Sequence, residues 1–134
     1  MKLKIMLVLT LILSGRAMTL AYIHHAGGAL PGDPPAAWLM PLIGDAVIGI
    51  SALWIAYLLL TKRGLWVWTT VIVWNALAIW DALSAYIVNI TNPWPEFFML
   101  QFAGSSMFFA ASAMHLAIII FASQKSTRDK LIGN

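Results

Sequence analysis

The chain has 134 residues, 61% of them hydrophobic and only 10% charged, with a net charge of +3 and no cysteine. Soluble domains carry about 25% charged residues, so this composition describes a membrane protein and argues against nucleic-acid binding. The missing cysteines exclude disulfides, thiolate catalysis, iron–sulfur clusters and cysteine zinc sites.

The first apolar run covers residues 3–23, behind Lys2. Its basic start and short apolar core also describe a secretory signal peptide, but Thr19 and Ala21 make a poor cleavage pair, and a retained membrane helix is expected. Arg16 is its unusual residue. Residues 24–37, HHAGGALPGDPPAA, form an irregular loop expected to fold back over the mouth of the bundle.

The second run, residues 38–60, begins with Pro41 in its first turn, where a missing N–H does little harm. Asp45, Gly49, Ala52 and Ala56 share one face at helical spacing, a small-residue face of the kind used for close packing in lipid. A basic turn at 61–64 leads to the third run, residues 65–88. There Asn75, Ala78, Ala82 and Ala85 make a small and polar face with Asp81 on its flank, while Leu77, Ile79, Leu83 and Ile87 point outward. Residues 89–96 form a second turn. The fourth run, residues 97–122, places Gln101, Ser105, Phe108, Ser112 and His115 on one stripe. The polar tail, 123–134, is expected to be loose.

Each run has about 20 or more mostly apolar residues, enough to cross a hydrocarbon core about 30 Å thick. The expected fold is an all-α integral membrane four-helix bundle, one domain over residues 1–134. Lys2, Lys4, Lys62, Arg63, Lys125, Arg128 and Lys130 flank the same side of the spans, and the two other loops hold no lysine or arginine. The positive-inside rule then puts both termini in the cytoplasm, in a bacterial inner membrane or another plasma membrane. Trp38 and Trp94 are expected at the outer interface, Trp66 and Trp68 at the inner one.

Arg16 lies seven positions before Ile23, Asp45 seven after Trp38 and Asp81 seven before Val88. At 1.5 Å per residue each sits about 10 Å below the outer surface, with Gln101 and Ser105 bracketing that depth. Three charges facing lipid would cost roughly 8–10 kcal/mol, which mutual pairing avoids. The planar fork of an arginine bridges two carboxylates well. Arg16 is therefore expected to meet Asp45, Asp81 or both, in a site lined by Asn75, Gln101 and Ser105. The surplus acid must hold a proton, bind a cation or meet a partner charge.

His115 has two readings, a proton relay or haem ligand and a histidine bonded to a neighbouring helix; the second is preferred. No resident cofactor is indicated. His24, His25 and Asp33 offer at best a weak metal site, and no metal is assigned. Trp74 and Trp80 are candidates to line a cavity for an apolar ligand, although packing is the commoner use. No catalytic motif is present.

The leading functional expectation is a transporter or channel-like protein for a proton, a cation or a small cationic solute. The alternatives are an accessory subunit of a larger membrane complex, and a membrane redox protein or enzyme acting on a lipid-soluble substrate. Beyond the bilayer, a second copy of the chain is the expected partner.

Overall fold

The computed structural model describes residues 1–133 and is all-helical there, with no strand. α1 spans Lys2–Leu13 and runs without interruption into a 3-10 segment, Ser14–His25. α2 spans Leu39–Thr61, α3 Leu65–Thr91, α4 Phe98–Ala103, α5 Ser106–Ser123 and α6 Lys125–Ile132. Four stretches are long and apolar enough to cross a membrane: Lys2–His25, Ala36–Thr61, Leu65–Thr91 and Ser106–Ser123.

The first stretch changes period half-way. From Leu13 on, every third residue turns inward: Leu13 and Thr19 are buried, and Arg16, Tyr22 and His25 are partly covered. The offset set, Ile12, Gly15, Met18, Ala21 and His24, is exposed. This is the signature of a 3-10 helix, which has 3.0 residues per turn and rises about 2.0 Å per residue.

The fourth run departs from the single helix expected over 97–122. The chain breaks after Ala103, where Gly104 takes φ +58°, a left-handed conformation that glycine adopts without strain. α4 is a short separate helix, and the membrane-length helix starts only at Ser106. The tail also differs from the expected loose segment. It folds as α6, buries Thr127 and Leu131, and accepts the Gly64 N–H on the Leu131 carbonyl at 2.9 Å.

α1 and the 3-10 segment pack on α2, α2 packs on α3, α3 on α5, and α5 returns to α1. The end nearest the termini is filled by Met6, Ile55, Leu59, Val67, Val71 and Ile118. The opposite end is capped by aromatic rings. Trp38 and Trp94 are both 2% exposed and meet edge-to-face at 5.5 Å; Trp94 stacks on Phe97 at 4.8 Å. Their indole N–H groups donate to the carbonyls of Asn92 and Gly32 at 2.7 and 2.9 Å. These two tryptophans are thus interior struts of the end opposite the termini. The Trp94–Gly32 bond ties the 24–37 loop across this end, as the glycine- and proline-rich composition suggested.

Two glycines on α2 set the helix spacing. A Cβ on Gly49 would collide with the backbone at Arg16 and Ala17, and one on Gly44 with the carboxylate of Asp81. Small residues carry the rest of these faces: Ala52 and Ala78 are wholly buried, Ala56, Ala82 and Ala85 nearly so. Gly49→Val is expected to lower stability by about 2–3 kcal/mol. Gly15→Ala, where nothing lies within 4 Å of the new Cβ, should stay within about 0.5 kcal/mol of wild type. Denaturant titration in detergent micelles measures both, and equal midpoints would contradict the close approach.

Candidate functional site

The charged residues converge, as the cost of leaving three charges unpaired suggested. The Arg16 guanidinium sits between α2 and α3. Its Nε donates to Asp45 Oδ1 at 2.7 Å and its Nη2 to Asp81 Oδ2 at 2.6 Å. Nη2 also pairs with Asp45 Oδ1. Nη1 lies 3.1 Å from His115 Nε2 and a long 3.5 Å from the Ala78 carbonyl. All three nitrogens are therefore engaged, on side chains from α2, α3 and α5. The three side chains are 11%, 16% and 21% exposed for Arg16, Asp45 and Asp81, so the cluster is mostly but not wholly covered.

The sequence builds this meeting from short elements. Arg16 is on the inward stripe of the 3-10 segment, with Thr19 one turn on. The Thr19 hydroxyl is shared between the Arg16 and Leu42 carbonyls at 2.9 and 3.0 Å, fastening that turn to α2. Asp45 is flanked by the two close-approach glycines. Gly44 opens the space that Asp81 fills from α3, and Gly49 lets the arginine backbone lie directly on α2.

The hydrogen bonds fix the direction of every donor beyond the arginine. A guanidinium only donates, so His115 Nε2 must accept and the ring hydrogen belongs on Nδ1. Nδ1 faces Asn75 Oδ1 at 2.8 Å, and the amide nitrogen of Asn75 donates to the Val71 carbonyl at 2.8 Å. His115 and Asn75 are both wholly buried. The Trp74 ring lies edge-on to His115 at 5.2 Å and donates its N–H to Ser51 Oγ at 2.8 Å. His115 is thus bonded to a neighbouring helix, but it is also part of the cluster. The break at Gly104 starts its helix at Ser106, so His115 lies nine residues, about 14 Å, along α5.

Asn75 and His115 join the three charged residues; Gln101 and Ser105 do not. Both of the latter are exposed, on α4 and at its junction with α5, and neither bonds to the cluster. The stripe that grouped them with His115 assumed an unbroken helix. The His24 and His25 rings lie 3.9 Å apart and tilted at 41°, and His25 lies 3.4 Å from Asp33. Among the described residues no group of three potential ligands surrounds a common point, there or elsewhere.

A cavity of about 380 Å³ opens beside the cluster, between the 3-10 segment and α5. Arg16 and Asp45 line its charged side; Met18, Phe97, Phe102, Met107, Phe108 and Met114 are among its apolar walls. The expected tryptophans do not line it: Trp80 is 75% exposed and Trp74 packs on His115. The signal that sequence reasoning passed over was the glycine with two serines at 104–106, a helix breaker in the middle of an apolar run.

Comparison with protein-family models, curated proteins and solved structures finds no match to this chain. Function must be argued from the site alone.

Two expectations follow. Double-mutant cycles should give a larger coupling for Arg16 with Asp45, which takes two of its nitrogens, than with Asp81, which takes one: about 2–3 against about 1 kcal/mol. Nitrogen NMR of the imidazole at neutral pH should show His115 protonated on Nδ1 and bare on Nε2; the opposite tautomer would break the chain of donors.

Proposed function

We propose that this chain is an integral membrane protein that binds and exchanges one positive charge, a proton or a small cationic solute, at Asp45 and Asp81, and so acts as a small transporter. The observation that carries the reading is the imbalance of charge. One guanidinium meets two carboxylates, and the histidine beside them serves as a neutral acceptor. An unmatched ionised group in a low-dielectric interior costs several kcal/mol, so the cluster favours a second cation or a proton. Arg16 fixes the acids and sets their affinity, and Asn75 and His115 hold Arg16 in place.

The placement in the membrane is part of the proposal. Seven of the eight basic residues flank one side of the spans, and none lies in the 24–37 loop or the 89–96 turn. This distribution favours cytoplasmic termini in a plasma membrane, bacterial inner or other. The site then lies nearer the outer face. The apolar packing around Met6, Ile55, Leu59, Val67 and Ile118 at the cytoplasmic end favours access from one side at a time over a pore open throughout.

The test is charge flux into liposomes holding the purified chain. Asp81→Asn keeps an oxygen for Arg16 and removes only the surplus charge. It should cut flux at least about tenfold, the effect of about 1.4 kcal/mol at the site. Unchanged flux in Asp81→Asn would show that Asp81 has no part in it.

A further inference from the structure

We infer that the cavity between the 3-10 segment and α5 binds the apolar body of an amphipathic organic cation, an amine or quaternary ammonium, whose charged head meets Asp45. This rests on the proposed reading of the acids and names the class of solute. The argument has three parts.

First, the cavity is contiguous with the surplus charge. Asp45 and Arg16 both line it. Arg16 engages Asp45 through Oδ1 alone, with Nε and Nη2 on that one oxygen. The other Asp45 oxygen takes no bond from Arg16, although the Asp81 carboxylate lies within hydrogen-bond reach of Asp45. No carboxylate oxygen here is both sealed and without a partner, since the one such buried side-chain atom among the described residues is Gln124 Oε1. Side-chain exposures of 16% for Asp45 and 21% for Asp81 leave both acids open to a ligand.

Second, the walls suit a cation with an apolar body. Phe97, Phe102 and Phe108 line it, and aromatic rings attract ammonium groups. Met18, Met107 and Met114 add long, polarizable side chains that refill gaps around ligands of differing shape. A volume of about 380 Å³ lies within the usual span of small-molecule pockets, about 300–1,000 Å³.

Third, the charge complementarity selects among occupants. A neutral acyl chain would satisfy the methionines and phenylalanines but leave the excess negative charge unmatched. An anion would be repelled by it. A monocation with an apolar body answers both features.

The probe is radiolabelled benzyltrimethylammonium, compared with its uncharged isostere neopentylbenzene, each equilibrated with the full chain in nanodiscs and corrected for empty nanodiscs. The cation should bind saturably and at least about tenfold more tightly than the isostere. Asp45→Asn should erase that preference. Ala110→Trp, which fills the cavity from α5 without touching the charged residues, should weaken cation binding by a similar factor. Met18→Trp does the same from the opposite wall, should Ala110→Trp fail to fold. Equal binding of both probes makes the cavity a plain apolar groove and overturns the inference, as does cation binding indifferent to both fillings. Charge flux that depends on Asp81 without preferential cation binding defeats this inference and leaves the transporter reading standing. Preferential binding with no flux in wild type does the reverse.

Discussion

A guanidinium cannot accept a hydrogen bond and does not give up its proton at any ordinary pH. Placed on an apolar helix, it must be met by acceptors on every side, and much of this fold serves that requirement. α2 supplies Asp45 to two nitrogens, α3 supplies Asp81, and α5 supplies the bare nitrogen of His115. The demand then passes outward through fixed donors, from His115 to Asn75 and from Asn75 to a backbone carbonyl of its own helix. The ends of the chain of bonds are set by groups with no freedom: a cation at one end, a peptide oxygen at the other. Deleting any middle member leaves a wholly buried polar atom without a partner, at a cost of about 1–3 kcal/mol.

The same requirement divides the bundle. On the side of the termini, aliphatic side chains close the space between all four long helices. At the other end, four rings, Tyr22, Trp38, Trp94 and Phe97, join the first loop to the turn after α3. Between these two closed regions lies the charged layer, and the cavity opens there because the packing partner changes. α1 packs on both α2 and α5, whereas the 3-10 segment above it packs on α2, and α5 itself begins only at Ser106. An apolar opening beside a charge-rich layer is what a site for a charged, lipid-soluble molecule needs.

Much of this was legible in the residues. Hydropathy located the long helices to within a few positions, except at the break in the fourth, because length and apolar content are what a span requires. The meeting of Arg16 with both aspartates followed from the cost of leaving three charges in an apolar environment. The faces of α2 and α3 followed from their small residues. What failed was the ruler. A rise of 1.5 Å per residue holds for an α-helix, whereas seven residues of 3-10 helix cover about 14 Å. Arg16 reached the predicted partners although its predicted depth used the wrong rise, because pairing energy and not axial position selects the partners. The stripe that joined His115 to Gln101 and Ser105 failed for a related reason, the unseen break at Gly104. Nothing in an apolar run distinguishes a methionine facing a cavity from one facing lipid, so the walls of the cavity could not be read in advance.

The 3-10 segment itself needs a cause, since runs beyond three or four residues are uncommon and the hydrogen-bond geometry is poorer than in an α-helix. Its anchors provide one. Arg16, Thr19 and Tyr22 bind in turn the acids, the Leu42 carbonyl and the rings of Trp94 and Phe97. In a 3-10 helix these three residues lie on one line. At about 100° per residue, α-helical winding would turn Tyr22 roughly 120° away from the face that carries Arg16. The segment could then keep its ion pairs or its aromatic cap, but not both. Gly49 lowers the remaining cost by letting the thinner helix lie directly against α2. The wall of the cavity and the grip of Arg16 on its acids are consequently one mechanical unit. A change in the charge held by Asp45 and Asp81 acts on the arginine, and the arginine is the first of the three contacts that hold this wall in its tighter winding.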